Sequence, residues 1–358
     1  MNAKRFVVAC GGTGGHVFPG LAVAGELKRR GHDVEVWLSG RDIEGAALRG
    51  WDGTVFLTRA RPLALKTLPH VIRSFFTSVK GLKRFRPAAV LAMGSYASLP
   101  PVLAANVLNV PIVLHEANAI PGKAVEFLSR YAALTAVSFR ETVGWLPGCA
   151  VRVTGLPVRA DLAGQPRFDE IPEGAFTVFV TGGSQGARRI NELASQALCL
   201  LRQAAGGERL FVIHQCGAAD EARVKAAYAE AGVPSRVSAF IPEMGRAYAS
   251  ADLVICRAGA STCFELCLQG KPSLLIPLPS ATRDHQHLNA AALMRSGGAD
   301  EGIQRELSSR SLMRYVKGRM DHPALLTRMG EAVSSLAVPD AAARVADALE
   351  ETEETLKI

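Results

Sequence analysis

The sequence predicts an α/β protein made of two doubly wound, Rossmann-like domains. Short buried strands alternate with helical segments along the chain, a pattern typical of parallel sheets. A strand that runs into a glycine-rich loop occurs at residues 6–15 and again at residues 176–186. Residues 155–174, rich in proline and glycine, lie between the two halves, so we predict a linker there with one domain on either side.

The first glycine-rich loop follows the predicted strand Phe6–Ala9 and ends at His16, with a helix predicted from about Pro19 to Arg30. Glycines let backbone N–H groups approach a ligand, and a helix start favours negative charge. The loop has neither the G-x-G-x-x-G spacing of dinucleotide sites nor the Lys-Ser/Thr ending of a P-loop. We therefore predict a different kind of phosphate- or substrate-binding loop.

The second glycine-rich loop repeats the spacing of the first. A shift of 171 residues brings Gly11, Gly12 and Gly15 onto Gly182, Gly183 and Gly186. The same shift brings His16 onto Ala187, so only the first loop carries an imidazole. The alternative is two ordinary strand–loop–helix units whose glycines serve only turns.

Polar clusters follow several of the predicted strands. In the first half, strands are predicted at 34–38, 55–57, 88–93, 111–114, 135–137 and 151–154, and in the second at 177–181, 209–214, 237–240, 253–256 and 273–276, with helices at 261–269 and 340–354. Residues 115–118, 257–265 and 284–289 come after such strands. Ligands bind at the carboxyl ends of parallel strands. Two domains that face each other across a cleft would bring these ends together around a nucleotide, a diphosphate and a second substrate.

Composition places the chain among ordinary globular proteins. Its 358 residues allow two or three domains, and 48% are hydrophobic while 21% are charged. The seven cysteines show no C-x-x-C motif, and His and Cys lack metal-ligand spacing, so we expect reduced thiols and no metal site. The chain runs directly into its first strand and has no apolar run of about 18 residues, so we expect neither a signal peptide nor a membrane span.

The net charge of +8 is concentrated in one segment. Eight Lys and Arg residues lie between Arg59 and Arg86, and no acid occurs between Asp52 and Glu116. Apolar residues interleave with them at helical spacing between Leu68 and Leu82. Such a segment is typical of binding to an anionic membrane surface. A core helix with a solvated basic face is the alternative, and nucleic-acid binding is disfavoured because no aromatic stacking platform accompanies the charge.

Six ordered motifs resemble the MurG family of glycosyltransferases. They are GGTGGH at 11–16, HEAN at 115–118, GLPVR at 155–159, GGSQGA at 182–187, RAGAST at 257–262 with Glu265, and DHQHLNA at 284–290. Members of that family move N-acetylglucosamine from UDP-N-acetylglucosamine to the lipid-linked muramyl-pentapeptide (lipid I), giving lipid II in peptidoglycan synthesis. The resemblance implies a glycosyltransferase-B fold, inverting chemistry without cofactor or metal, and a peripheral position on the cytoplasmic face of the bacterial inner membrane. The absence of any D-x-D motif agrees with a metal-independent reaction.

The resemblance also implies domains and site residues. It implies an acceptor domain at 1–157, a UDP-sugar domain at 158–339, and a last helix, 340–358, that packs back on the first domain. His16 is implied as the base, with Glu116 as the alternative. Implied donor contacts are Thr13, Gly14, Gly15, Asn118, Arg159, Ser184, Ile241, Glu265 and Gln286; acceptor contacts are Gly14, Tyr96 and His115; membrane contacts are Ile72, Phe75, Phe76, Val79, Lys80 and Lys83.

Some residues depart from the family pattern, and other functions stay open. Ser95, Ala117, Leu156 and His285 replace residues that are usual in the family, which affects details of acceptor contact. A neutral histidine near the ordinary pKa of about 6.5 would suit the role of base.

A related lipid glycosyltransferase, a UDP-sugar epimerase and a non-catalytic membrane scaffold are alternative functions for this chain. An NAD-dependent oxidoreductase is disfavoured, because strand two is not followed directly by an acid for the ribose.

Overall fold

The chain forms two compact units, each built on one parallel sheet. The structure is a computed structural model, and it describes residues 3–41, 44–45, 48 and 50–355. The first unit runs to Arg159 and takes up the chain again from Val338, and the second is Ala160–Ala337.

The first unit contains a seven-stranded sheet whose neighbouring strands are all parallel. Its strands are β1 (Arg5–Ala9), β2 (Asp33–Leu38), β3 (Thr54–Leu57), β4 (Ala89–Ala92), β5 (Ile112–Glu116), β6 (Leu134–Val137) and β7 (Val151–Val153), in the order β3-β2-β1-β4-β5-β6-β7. Its helices are α1 (Gly14–Arg29), α2 (Leu68–Phe85), α3 (Leu99–Val107) and α4 (Lys123–Leu128). The order of strands reverses beside β1, so β1 lies at the switch point where open α/β sheets bind ligands.

The second unit contains a six-stranded parallel sheet with the same plan. Its strands are β8 (Phe176–Thr181), β9 (Leu210–Gln215), β10 (Ser235–Ser238), β11 (Leu253–Cys256), β12 (Ser273–Leu275) and β13 (Ala299–Glu301), in the order β10-β9-β8-β11-β12-β13. Its helices are α5 (Arg188–Arg202), α6 (Glu221–Glu230), α7 (Met244–Ser250), α8 (Ala260–Gln269), α9 (His285–Ser296), α10 (Ser309–Asp321) and α11 (Pro323–Ser334). Here β8 occupies the switch point, so each glycine-rich loop follows the strand at the switch point of its sheet.

The last helix, α12 (Ala341–Thr355), packs on the first sheet. Its residues Val345 and Leu349 lie in the same core as Phe6 and Val8 of β1. At the rim of that core, the Arg30 guanidinium donates to Asp347 Oδ1 at 2.7 Å and to Glu350 Oε2 at 2.6 Å. Apolar burial and this charged rim together attach the C-terminal segment to the first unit.

Some predicted elements are wrong in position. Helix α1 begins at Gly14, within the glycine-rich loop, and not near Pro19. Strand β10 ends at Ser238, and β13 has no predicted counterpart. The boundary between the two units falls after Arg159, inside the predicted linker 155–174, and Leu162 and Phe168 of that segment are buried.

Buried apolar residues pack into core clusters within each unit. The seven cysteines are all free thiols, and five of them are buried. Within the described parts of the chain, every helix is too short or too polar to cross a bilayer.

Candidate active site

The first glycine-rich loop is held from two sides. The Gly12 N–H donates to Glu44 Oε1 at 2.7 Å, while the Ser95 hydroxyl donates to the Gly11 carbonyl oxygen. Gly12 has a φ of 129°, which a residue with a Cβ rarely adopts, and a Cβ there would lie 3.0 Å from Ser95 Oγ. The Gly11–Gly12 peptide is therefore fixed at both its N–H and its C=O.

Glu44 is a site residue that sequence reasoning missed. Its carboxylate also accepts from the Gly40 N–H at 2.7 Å, from the Arg41 N–H at 3.1 Å and from the Ser39 hydroxyl. Burial alone would raise its pKa, but the hydrogen bonds from Ser39, Gly12 and their neighbours lower the pKa on balance. A buried anion therefore lies under the first loop. In the sequence, Glu44 is only an acidic residue shortly after Gly40 and belongs to no motif, so its role could not be predicted.

His16 lies in the first turn of α1 and is half-buried. Its Nδ1 is 2.9 Å from the Thr13 hydroxyl oxygen, so Nε2 is the nitrogen left for a ligand. Desolvation lowers the pKa of His16 to about 4, so the ring is neutral near pH 7. This pKa lies below the ordinary histidine value that the sequence suggested, and the neutral form that a base needs is the one present.

His115 and Glu116 end strand β5, two strands away from β1 in the sheet. His115 is wholly buried, so its side chain is not exposed at a surface in this structure, and its predicted contact with the acceptor stays a prediction. Desolvation lowers its pKa to about 4, and repulsion from His16 contributes. Glu116 Oε1 accepts from the Asn118 N–H at 2.8 Å, and Oε2 accepts from the Gly122 N–H at 2.8 Å. Burial raises the pKa of Glu116 against the effect of these bonds.

The remaining predicted residues of the first unit lie close to the same loop. Tyr96 follows β4 and is half-buried, and its ring lies 3.9 Å from the position of a Cβ on Gly12. Arg159 lies over the Phe18 ring of α1, with its guanidinium carbon 5.1 Å from the ring centroid. His16 and Tyr96 thus lie at the first loop with Glu44 beneath it, and Arg159 lies on the helix that follows.

The second glycine-rich loop is held by neutral groups. The Gly183 N–H donates to the Thr181 hydroxyl at 3.1 Å, and the Gln215 amide donates to the Gly183 carbonyl oxygen at 3.1 Å. Ser184 is exposed at the tip of this loop. Gln215 Oε1 also accepts from the backbone N–H of the buried residue Ile241 at 2.9 Å. Gln215 was not among the predicted site residues.

Two further predicted residues follow β11 and β12 of the same sheet. Glu265 lies half-buried in α8, and its Oε2 accepts from the Tyr248 hydroxyl at 2.8 Å. Gln286 lies at the start of α9, and its Oε1 accepts from the Leu278 N–H at 2.9 Å. Asn289 is buried and donates to the Ala258 carbonyl oxygen at 3.1 Å, which ties α9 to the loop after β11. The second sheet therefore presents a carboxylate, an amide and a glycine-rich loop at its carboxyl edge.

Helix α2 carries large apolar side chains on its exposed face. The exposed fraction is 46% for Leu68, 48% for Ile72 and 58% for Phe76. The buried residues of the helix are Ser74, Ser78, Gly81, Leu82 and Phe85, and a Cβ on Gly81 would lie 2.8 Å from the Trp37 ring. Among the predicted membrane residues, Phe75 and Val79 are half-buried against the core, while Lys80 and Lys83 are exposed.

Comparison with known proteins gives matches along almost the whole chain. Residues 6–137 match the glycosyltransferase family 28 N-terminal domain, and residues 177–345 match its C-terminal domain. The UDP-N-acetylglucosamine–N-acetylmuramyl-(pentapeptide) pyrophosphoryl-undecaprenol N-acetylglucosamine transferase of Geobacter sulfurreducens is 39% identical over 360 residues, 96% of this chain and 97% of that protein. The enzyme of the same name from Cupriavidus necator is 40% identical over 356 residues, with the same shares covered.

Solved structures agree with these matches. The crystal structure of MurG from Acinetobacter baumannii superposes with a TM-score of 0.79 at 31% identity, covering 97% of this chain and 99% of that one. A UDP-GlcNAc 2-epimerase from Neisseria meningitidis superposes with a TM-score of 0.72 at 13% identity, covering 97% of this chain and 100% of that one, which shows a shared fold only. The predicted glycosyltransferase-B fold is thereby confirmed, and the chain belongs to glycosyltransferase family 28.

Proposed function

We propose that this protein transfers N-acetylglucosamine from UDP-N-acetylglucosamine to the muramyl sugar of the lipid-linked muramyl-pentapeptide, giving lipid II. The observation that carries this proposal is the 39% identity, over 96% of the chain, to the Geobacter sulfurreducens transferase of that activity. The motifs that suggested the resemblance lie in both halves of the chain, so the proposal does not depend on one domain. The protein is thus a UDP-N-acetylglucosamine-dependent glycosyltransferase of peptidoglycan synthesis.

The proposed reaction is a single in-line displacement at the anomeric carbon of the donor sugar. The acceptor C4 hydroxyl oxygen forms the new glycosidic bond, the bond to the UDP oxygen breaks, and the hydroxyl proton passes to a base. His16 suits that role because its ring is neutral and its Nδ1 is occupied by Thr13, which leaves Nε2 for the proton. Glu116 suits it less well, because backbone N–H groups already occupy both of its oxygens.

The donor is assigned to the second unit. Ser184 and the second glycine-rich loop would hold the diphosphate, since a glycine-rich loop before a helix favours an anion. Glu265 would accept from the ribose hydroxyls, with Tyr248 fixing its orientation. Ile241 would lie beside the uracil, and Gln286 would meet the sugar hydroxyls. For the first unit, the family resemblance implies donor contacts at Thr13, Gly14, Gly15, Asn118 and Arg159, and acceptor contacts at Gly14 and Tyr96.

A transfer assay tests the proposed activity. The purified protein is incubated with radiolabelled UDP-N-acetylglucosamine, with and without a lipid-linked muramyl-peptide analogue. We expect label in the lipid product only when the acceptor is present, with release of UDP. Conversion of the sugar nucleotide in the absence of acceptor would instead indicate an epimerase.

Membrane attachment through α2 is part of the proposal. The lipid-linked acceptor requires contact with a bilayer, and α2 exposes Ile72 and Phe76 beside Lys80 and Lys83. Each basic residue near an anionic surface contributes about 1 kcal/mol, and buried apolar side chains add to this. We infer a peripheral position on the cytoplasmic face of the membrane, where the nucleotide donor is found.

Vesicle co-sedimentation tests this attachment. With anionic vesicles, we expect Ile72→Ser/Phe76→Ser and Lys80→Glu/Lys83→Glu each to reduce the bound fraction several-fold. Val107→Ser/Leu200→Ser, at exposed apolar positions elsewhere, serves as the matched control and should bind as wild type. Binding of all three variants at the wild-type level would show that α2 is only a core helix with a solvated face.

A further inference from the structure

We infer that Gln215 is a positioning residue of the donor site, which fixes the second glycine-rich loop relative to the ends of the neighbouring strands. The inference rests on the proposed function, because it assigns that loop to the UDP-sugar. Gln215 is the last residue of β9, between β8 and β10 in the sheet, and it is buried. Buried polar side-chain atoms in folded proteins nearly always have hydrogen-bond partners, so we ask which groups pair with the Gln215 amide.

The Gln215 side chain joins the ends of three adjacent strands. Its Nε2 donates to the Thr181 hydroxyl at 3.2 Å and to the Gly183 carbonyl oxygen at 3.1 Å, on the β8 side. Its Oε1 accepts from the Ile241 N–H at 2.9 Å, beyond the end of β10. The donors and the acceptor of the amide thus face opposite neighbours, which determines the orientation of the side chain.

The loop held by Gln215 packs backbone against backbone. A Cβ on Gly186 would lie 2.0 Å from the Cys216 carbonyl oxygen, and a Cβ on Gly217 would lie 2.4 Å from the Gln185 carbonyl oxygen. Both glycines have positive φ, at 73° and 79°. The loop therefore lies directly on the residues that follow Gln215, and a displacement at this strand end is transmitted to the loop.

His214, next to Gln215, holds the helix that follows the loop. Its Nε2 is 3.1 Å from Asn191 Oδ1, and its Nδ1 is 3.0 Å from the Tyr228 hydroxyl. Burial lowers the pKa of His214 to about 3, so the ring is neutral, donating one hydrogen bond and accepting the other. Asn191, in the first turn of α5, also donates to the Cys216 carbonyl oxygen at 2.8 Å. The loop and α5 are thus attached to one strand end by Gln215, His214 and Asn191, and the Asp220 carboxylate accepts a further hydrogen bond from the Asn191 amide at 2.8 Å.

Gln215→Met is the principal test, because it keeps the length of the side chain and removes all three hydrogen bonds. We measure the Kd for UDP by titration calorimetry, the KM and kcat with UDP-N-acetylglucosamine, and the thermal midpoint of unfolding. We expect the Kd and KM to rise about tenfold or more, as for loss of buried hydrogen-bond partners. The matched control is Gln196→Met, which changes an exposed glutamine on α5. Its Kd for UDP should stay near that of wild type.

The outcomes separate the inference from the proposed function. If wild type and Gln215→Met bind UDP equally while only the unfolding midpoint falls, Gln215 is a structural residue and the inference is wrong. Failure of wild type to bind UDP would overturn the proposed donor site itself, and the inference with it.

A milder variant covers the case in which Gln215→Met does not fold. Thr181→Val removes the hydroxyl that accepts from both Gln215 and Gly183, at nearly constant volume. We expect a smaller rise in the Kd for UDP in the same direction. An unchanged Kd in that variant would count against the inference.

Discussion

The two glycine-rich loops share their spacing but differ in the charge beneath them and in where the helix begins. Under the first loop, the Gly12 N–H is bonded to the buried carboxylate of Glu44. Under the second, the neutral amide of Gln215 bonds the Gly183 carbonyl oxygen. Helix α1 starts at Gly14, so His16 lies inside its first turn, whereas α5 starts only at Arg188, after Ala187.

This difference indicates that two glycine-rich loops of the same spacing perform different functions. An anion that occupies a loop N–H group works against phosphate binding at the first loop, both by charge and by removing a donor. The second loop has no such group among its described partners, and α5 begins with the exposed pair Arg188 and Arg189. We therefore assign the anionic part of the donor to the second loop and proton transfer to the first.

The largest expected effect is that of His16→Ala. Loss of a general base typically lowers kcat by 10²–10⁴-fold. The affinity for UDP should change little, because the equivalent position of the second loop is Ala187, so the loop conformation does not require a histidine there. The exposed His322→Ala is the control and should have wild-type kinetics. A kcat within about threefold of wild type would leave Glu116 as the next candidate base.

The pH dependence of wild type tests the same residue. Because desolvation lowers the pKa of His16 to about 4, the neutral form persists down to that pH. We expect kcat/KM, which reports the free enzyme, to fall with acid only as the pH approaches that value. A fall centred on the ordinary histidine pKa of about 6.5 would contradict this assignment.

An intermediate effect is expected for Glu265→Ala in the second unit. Loss of a charged hydrogen-bond partner of the ribose should cost about 1.5–3 kcal/mol of donor binding, roughly a 10- to 100-fold rise in the KM for UDP-N-acetylglucosamine. Tyr248→Phe should raise KM less, since it removes only the group that orients Glu265. Glu230→Ala, an exposed acid on α6, is the control. An unchanged KM in Glu265→Ala would remove this residue from the donor site.

The smallest effect is expected for Glu44→Gln, which neutralises the anion under the first loop. We expect kcat to fall about three- to tenfold, the scale of one weakened hydrogen bond, while the Kd for UDP stays unchanged. The surface variant Asp52→Asn, which breaks the exposed ion pair with Lys28, should change neither quantity. A raised Kd for UDP in Glu44→Gln would contradict the assignment of donor binding to the second loop and of proton transfer to the first.

Stability against pH gives a second measurement on Glu44. Its pKa is lowered in the folded protein, so the carboxylate stabilises the fold above the unfolded-state pKa of about 4.3. That contribution is lost as the pH falls through the lower folded-state pKa. Denaturant unfolding below about pH 5 should therefore show a steeper loss of stability in wild type than in Glu44→Gln.

Much of the fold could be predicted because it depends on local pattern. Strand β11 lies where its buried run predicts it, and β8 begins one residue earlier than predicted. The start of α1 could not be predicted, because Gly14 and Gly15 favour a loop by propensity and are helical only in the folded unit. Strand β13 is three residues long with two acidic positions, so it carries no periodicity and forms only by pairing with β12.

The sequence alone determined the two-domain α/β plan, the paired glycine-rich loops, the family resemblance and the candidate residues His16, Glu265 and Gln286. Motifs and periodicity are local properties, and these features depend on them. Tertiary structure alone decided that Glu44 lies under the first loop, that Gln215 lies under the second and that His115 is buried. The physical reason is that hydrogen-bond partners and desolvation depend on contacts between residues far apart in the chain, such as Gly12 with Glu44 and Gly183 with Gln215.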